Sequence, residues 1–178
     1  MKKRTIALII ALVFVIGAAV ISYSLLSLSA EQQGAGGGGA APDFLIYDKD
    51  GNEITLADFE GKPVVINFWA SWCGPCRSEM EGFDNKCKEY GDEVAFVMIN
   101  LTDGRRETVD SAMEFINGEG YGFPVYFDKD MTASDSYQAY SIPTTYFIDA
   151  NGNIAGNVTG AMSEYALSEG IKLIYEGH

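Results

Sequence analysis

Residues 68–77 read "FWASWCGPCR" and place two cysteines, Cys73 and Cys76, at the junction of two different patterns. Just before them, residues 63–69 ("PVVINFW") form a continuous apolar run rich in β-branched side chains, which predicts a strand buried on both faces. After Cys73, apolar side chains recur three or four positions apart, which is typical of a helix. The sequence therefore predicts a strand that leads directly into a helix, with the two thiols at the turn between them.

This position gives each cysteine its own chemical role. Cys73 falls at the N-terminus of the predicted helix, where unpaired N–H groups and the helix dipole stabilise a thiolate and lower the pKa of the thiol. A thiolate is the species that attacks a disulfide. Cys76 lies on the same helical face within bonding reach, so it can attack the mixed disulfide and release the substrate. Pro75 fits the first helical turn, where a missing N–H costs nothing.

Two other roles for the cysteine pair fit the sequence less well. A structural zinc ion needs four ligands, and outside the pair the chain offers only Cys87 and His178, so we predict no metal site. A structural disulfide across two intervening residues closes a very short loop and contributes little stability. Cys87 lies about three helical turns beyond Cys76, too far for a disulfide, and is expected to be a small core residue. Of the three roles, a redox-active dithiol fits the sequence best.

The N-terminal region predicts a membrane anchor. No charged residue occurs from Thr5 to Ala30, directly after the basic "MKKR". This stretch can cross a hydrocarbon core of about 30 Å, and the basic residues favour a cytoplasmic N-terminus. A cleaved signal peptide is the alternative, although its apolar region is usually only about 7–15 residues long. Residues 1–30 are thus the predicted anchor, Gly-rich residues 31–41 a flexible linker, and residues 42–178 the folded domain, exported in either case.

The charge of the exported part excludes some classes of partner. The whole chain has 12 Lys and Arg residues against 25 Asp and Glu, a net charge of −13. Three of the basic residues lie before the apolar stretch within residues 1–30, so residues 31–178 hold 9 basic against 25 acidic residues, a net charge of −16. Such a domain is not expected to bind nucleic acid or an anionic lipid surface.

The remaining patterns predict a mixed α/β sheet. Residues 43–63 read as a hairpin with its turn at "DKDGN", and residues 94–101 as a second buried strand. Thr108 is a plausible N-cap for the next helix, and a second hairpin, with its turn at "DANGN", precedes an amphipathic terminal helix. The alternation in the middle of the chain favours parallel strands joined by helices on both faces of the sheet.

"WCGPC" after a buried strand, followed some seventy residues later by "SIPTTYFID", resembles thioredoxin-fold proteins. The resemblance is closest to membrane-anchored extracytoplasmic thiol–disulfide oxidoreductases of the TlpA/ResA type, and it covers about residues 41–175. It implies a thioredoxin fold with an extra N-terminal β-hairpin and an additional helix–strand segment over residues 106–128. It also implies that Pro143 is cis and faces the dithiol, and that the main chain of Ile142 pairs with the substrate. Sequence alone favours a trans proline.

Two further residues are implicated near the dithiol. Thioredoxins carry a buried Asp on the strand before the dithiol, where this chain has Asn67. The resemblance makes Glu79, three residues beyond Cys76, the replacement proton acceptor, and burial would raise its pKa toward a useful range. A solvated helix glutamate is the alternative. Trp72, beside Cys73, is a candidate substrate contact together with Ile142 and Pro143.

The expected function is reduction of disulfides in exported proteins, with electrons from a membrane thiol donor and no dissociable cofactor. Apocytochrome c is among the expected substrates, because cytochrome c maturation is one task of the resembled family. A thiol peroxidase is one alternative, but its P-x-x-x-T-x-x-C pattern would need Pro and Thr where this chain has Ile66 and Ala70. A non-catalytic copper-binding module is the other; it would need a distal histidine and a wider spacing of the cysteines, whereas the only histidine is the terminal His178.

Overall fold

The computed structural model describes residues 38–175. The predicted anchor, residues 1–30, and most of the predicted linker lie outside this range. Within it, no helix is long and apolar enough to span a membrane. The strands are β1 (Leu45–Tyr47), β2 (Glu53–Thr55), β3 (Val64–Trp69), β4 (Ala95–Asn100), β5 (Val125–Phe127), β6 (Thr144–Ile148) and β7 (Ile154–Thr159). The helices are α1 (Gly74–Tyr90), α2 (Val109–Glu119), α3 (Thr132–Ser136) and α4 (Glu164–Ile174), and a 3-10 turn covers Leu56–Phe59.

The strands form one mixed sheet in the order β2-β1-β5-β4-β3-β6-β7. Strands β3, β4 and β5 are parallel neighbours, while β6 pairs antiparallel with both β3 and β7. The N-terminal hairpin joins the other edge, where β1 pairs antiparallel with β5. The predicted hairpin and the predicted helix–strand insertion, which is α2 and β5, are therefore both confirmed. Because β3 lies between β4 and β6, the chain leaves the middle of the sheet at Trp69 and enters α1 from there.

The core has two layers because side chains alternate across the sheet. Helices α1, α2 and α4 cover one face, and the short α3 and the 3-10 turn lie on the other. The layer under α1 includes Val65, Trp69, Phe96 and Met98, and the opposite layer includes Val64, Ile66, Phe68, Val97 and Ile99. Every residue of β3 is buried, as the continuous apolar run predicted.

Capping residues define both ends of α2, the helix of the insertion. The Thr108 hydroxyl accepts a hydrogen bond from the Ser111 N–H, so Thr108 is the N-cap of α2 as predicted. The helix ends at Glu119, and its C-cap, Gly120, has a φ of 76°, in the left-handed region that glycine adopts without strain. Residues 38–41, in the predicted linker, already pair with the β6–β7 turn: the Gly38 N–H donates to the Ile154 carbonyl and the Ala41 N–H to the Gly152 carbonyl.

Helix α4 packs so closely on the sheet that one position requires glycine. A Cβ added at Gly170 would lie 2.1 Å from Cζ of the Phe147 ring, which is itself buried. We expect Gly170→Ala to lower the free energy of unfolding by about 1–3 kcal/mol, because the ring has to move within a filled core. Urea denaturation measures this. Gly118→Ala, within α2, is the matched control, because a Cβ added there would contact no neighbouring atom. This substitution should raise the free energy of unfolding by up to about 1 kcal/mol. Equal effects of the two substitutions would contradict the close packing.

Candidate active site

The dithiol lies where β3 passes into α1. Cys73 and Cys76 form a disulfide with their Cα atoms 5.2 Å apart. Cys73 is the N-cap of α1, and its Sγ accepts a hydrogen bond from the Cys76 N–H at 3.2 Å. Pro75 falls within the first turn, where no backbone hydrogen bond is lost. The first sulfur therefore occupies the position at which a helix N-terminus stabilises negative charge, as the sequence predicted.

The two sulfurs differ in their access to solvent. Cys73 retains 5% of its surface exposed in the disulfide, whereas Cys76 retains none. Gly74 and Pro75 between them are exposed, and Trp72 is 43% exposed. An incoming thiol or disulfide can therefore reach Cys73 first, past a rim that includes the Trp72 ring.

The loop before β6 faces Cys73. The Ile142–Pro143 peptide bond is cis, as the resemblance implied. The Ile142 carbonyl oxygen lies 3.7 Å from Cys73 Sγ. Pro143 is buried, and its own carbonyl accepts a hydrogen bond from the Gly160 N–H at 2.8 Å. Pairing of β6 with β3 thus brings residues 69 positions apart in the chain together at the same end of these strands.

Glu79 points into the protein and is only 4% exposed, so the solvated alternative is wrong. One carboxylate oxygen accepts from Asn67 Nδ2 and the other from the Met162 N–H, each at 2.9 Å. Burial raises the pKa of Glu79 from its ordinary value of 4.5 to about 7, and the two hydrogen bonds oppose this shift only in part. The side chain can therefore gain or lose a proton near neutral pH.

Asn67 connects Glu79 to the sheet. Its Nδ2 donates both to Glu79 and to the Thr145 hydroxyl on β6, at 2.9 and 3.0 Å. Its Oδ1 is buried and has no hydrogen-bond partner among the described residues. A buried acceptor of this kind is costly when it stays unpaired. If the amide turned over, Oδ1 could accept the proton of a neutral Glu79, so this pair can accommodate both protonation states.

A second buried carboxylate fixes the residues just before the dithiol. Glu107 is fully buried and accepts hydrogen bonds from the Ser71 N–H at 2.9 Å, the Ser71 hydroxyl at 2.8 Å and Asn100 Nδ2 at 2.7 Å. Sequence reasoning missed Glu107, because a glutamate beside two arginines and a helix N-cap reads as a solvated residue. No local pattern identifies its partner 36 positions away.

Arginine side chains stack on the aromatic rings beside the cysteines. The Arg106 guanidinium lies 3.5 Å from the centre of the Trp72 ring, and that of Arg77 lies 4.8 Å from the centre of Phe115. Both contacts are cation–π interactions, in which the ring attracts the positive charge. Neither contact was predicted, because both join the cysteine motif to the insertion after β4.

Cys87 lies apart from this site. It is partly buried and packs against the core cluster under α1, close to the expected core position. Burial raises the pKa of its thiol, and the Asp84 carboxylate adds to that effect, so its reactive thiolate is disfavoured. Between residues 38 and 175, no three His, Cys, Asp or Glu side chains come together as a group that could hold a metal ion.

Comparisons with known proteins agree with this geometry. Residues 38–156 match the AhpC/TSA family. The chain is 33% identical over 141 residues to the thiol-disulfide oxidoreductase ResA of Bacillus subtilis, covering 79% of this chain and 76% of that protein. It is also 34% identical over 145 residues to the thioredoxin-like protein YneN of the same organism, covering 82% and 84% of the two chains.

Solved structures give the same result for the fold. A protein from Chlorobium tepidum assigned as thiol:disulfide interchange protein DsbE superimposes with a TM-score of 0.69 at 30% identity, over 78% of this chain and 96% of that one. StoA from Bacillus subtilis superimposes with a TM-score of 0.63 at 25% identity, over 75% and 98%. With its thioredoxin fold and its cysteine pair at the start of α1, the chain belongs to the AhpC/TSA family and, within it, to the thiol–disulfide oxidoreductases of the ResA type.

Proposed function

We propose that this thiol–disulfide oxidoreductase reduces disulfides in exported proteins, with Cys73 as the attacking sulfur and Cys76 as the resolving one. The position of Cys73 carries the proposal. Its sulfur is at the N-terminus of α1, bonded to the Cys76 N–H, and it is the more accessible of the pair. Each of these properties favours attack by Cys73 rather than by Cys76.

The exchange proceeds in two balanced steps. The Cys73 thiolate attacks one sulfur of the substrate disulfide; an S–S bond forms to Cys73, and the other substrate sulfur leaves as a thiolate that takes up a proton. The Cys76 thiol then loses its proton and attacks Cys73 Sγ, which closes the protein disulfide and releases the second substrate thiolate. The substrate gains two electrons and two protons, and a dithiol donor returns the protein to the reduced state.

Glu79 is the proposed acceptor of the Cys76 proton. It lies one helical turn beyond Cys76 on the buried side of α1. A group that titrates near pH 7 can take a proton from a thiol and return it without a large cost in either direction. Asn67 is a positioning residue for this transfer, because its Nδ2 bonds Glu79 and its unpaired Oδ1 could bond the protonated form once the amide turned over.

The substrate segment is proposed to lie between Trp72 and the Ile142–Pro143 loop. The Ile142 main chain is next to Cys73 Sγ, so an extended peptide that hydrogen-bonds to it would bring its own sulfur to Cys73. The exposed Trp72 ring gives this segment an apolar surface on the other side. Apocytochrome c is one substrate of the required kind.

The proposed location of the protein and the proposed direction of electron flow are supported by the sequence. The apolar run from Thr5 to Ala30 supports single-pass anchoring in the cell membrane with the catalytic domain outside the cytoplasm. A membrane thiol donor would then supply the electrons. The Gly-Pro pair between the cysteines is typical of reducing relatives and supports reduction of the substrate.

Trapping the mixed disulfide tests the roles of the cysteines. The full-length Cys76→Ser variant should form a stable covalent adduct with an oxidised model peptide, because no second thiol resolves it, and mass spectrometry would detect the adduct at Cys73. Cys73→Ser should form none. The control, Cys76→Ser with Cys87→Ser, should trap as well as Cys76→Ser alone. An adduct that depends on Cys87 would contradict the role of Cys73. Rapid peroxide consumption by the wild type would favour a thiol peroxidase instead.

Glu79 should make stability depend on pH. The folded oxidised protein keeps the Glu79 proton that the unfolded chain releases above pH 4.5, so the free energy of unfolding should fall as pH rises from 4.5 to about 7 and be level above. The fall attributable to Glu79 is about 3 kcal/mol. Urea denaturation at several pH values measures the free energy of unfolding, and the Glu79→Gln variant should lack this fall. Glu81→Gln, an exposed neighbour on α1, is the control and should behave as wild type. A wild-type slope in Glu79→Gln would contradict the assignment.

Labelling of intact cells tests the location. With the reduced Cys76→Ser, Cys87→Ser variant, a membrane-impermeant maleimide should label Cys73 without lysis, and the protein should stay in the membrane fraction. Labelling only after lysis would contradict export. Recovery of a shortened, soluble chain would instead support the cleaved signal peptide.

A further inference from the structure

The arginines of this acidic chain are concentrated at the dithiol. Apart from Arg4, which lies outside the described residues, they are Arg77, Arg105 and Arg106. Arg77 directly follows Cys76 in α1, and Arg105 and Arg106 lie in the loop between β4 and α2, which reaches back to Trp72. We call these three side chains the arginine rim. Arg77 and Arg106 place positive charge beside the cysteines in a domain whose net charge is strongly negative, and Arg105 adjoins Arg106 in the same exposed loop.

The rim keeps its charge available because aromatic rings, rather than carboxylates, hold Arg77 and Arg106 in place. Among residues 38–175, no carboxylate oxygen lies within 4 Å of the guanidinium of Arg105 or Arg106. The only such partner of Arg77 in that range is Glu119, at 3.7 Å, and both side chains are about half exposed, so this pair is weak. A guanidinium stacked on a ring still has its edge N–H groups free for a ligand.

The two acidic residues of the loop between β4 and α2, Asp103 and Glu107, bind other groups. The Asp103 carboxylate oxygen Oδ1 accepts the backbone N–H groups of Arg105, Arg106 and Glu107, all within 3.0 Å. Glu107 is fully buried below Ser71. The loop therefore directs its acidic groups toward its own backbone and the interior, while its two arginine side chains are exposed.

From this arrangement we infer that the site selects disulfides flanked by acidic residues, with the arginine rim binding their carboxylates. This inference rests on the proposed function and adds the substrate class to it. A segment lying on Cys73 between Trp72 and Ile142 passes the Arg106 guanidinium, so side chains one to three positions from its cysteine come within reach. Carboxylates suit the planar donor fork of arginine, which can bind both oxygens at once.

Salt concentration separates this local effect from the overall charge. The net charge of −16 for residues 31–178 repels acidic peptides at long range. At about 0.15 M salt, charges more than about 8 Å apart are largely screened, and the rim then acts alone on a docked peptide. Preference for acidic flanks should therefore be clear at 0.15 M salt and disappear near 1 M, where the screening length is about 3 Å.

The test measures exchange rates of the reduced full-length chain, kept in solution with a non-ionic detergent. Three synthetic peptides share one disulfide loop and carry Asp, Asn or Lys on both sides of it. At 0.15 M salt the Asp peptide should be reduced about tenfold faster than the Lys peptide, with the Asn peptide between them. Arg106→Glu and Arg105→Glu should each remove or reverse this order of reduction rates. Arg106→Lys keeps the positive charge and should keep the order.

The variants and peptides distinguish the outcomes. Lys62→Glu is the matched control, because it makes the same charge change at the opposite end of β3 and should leave the order unchanged. Arg105→Glu leaves the Arg106–Trp72 stack in place. It therefore distinguishes loss of positive charge from loss of the contact that supports the Trp72 ring. Equal rates for the three peptides, or an order that survives both arginine-to-glutamate changes, would overturn the inference and leave the proposed function standing. Failure to reduce any of them would overturn the proposed function itself.

Discussion

The start of α1 at Gly74, immediately after a buried central strand, is the constraint on which the rest of the site depends. Because Cys73 is the N-cap and Cys76 the third helical residue, the hydrogen bond that caps the helix runs from the Cys76 N–H to the Cys73 sulfur. The same helix geometry brings the two Cα atoms to 5.2 Å, within the range of a disulfide. Stabilisation of the thiolate and closure of the disulfide thus have one structural cause.

Two buried carboxylates support this junction in different ways. Glu107 uses its oxygens to hold Ser71 and Asn100, which fixes the chain as it leaves β3. Glu79 accepts two hydrogen bonds from the residues that the structure describes, and burial brings its pKa to about 7. One therefore sets the position of the dithiol loop, while the other can exchange a proton within the interior. Residues from β3, β4, α1 and the insertion all contribute, so the site depends on contacts between elements that are distant in the chain.

Patterns within a short stretch of sequence predicted most of the fold. The apolar run of β3, the helical spacing after Cys73 and the N-cap Thr108 are local signals, and the structure confirms them. The cis bond before Pro143 came from the family resemblance, since elementary base rates favour trans. Contacts between distant residues, such as Ser71 with Glu107 and Trp72 with Arg106, could not be predicted because no periodicity links them.

The insertion after β4 explains how one domain can be acidic overall and still have positive charge at its reactive sulfur. Long-range repulsion depends on net charge and is screened at physiological salt, whereas recognition at the sulfur depends on groups within a few ångströms. The loop after β4 holds Arg106 against Trp72, the residue that precedes Cys73, and the Asp103 carboxylate in the same loop accepts backbone N–H groups. The distribution of charge, rather than its sum, therefore governs which disulfides the site can approach.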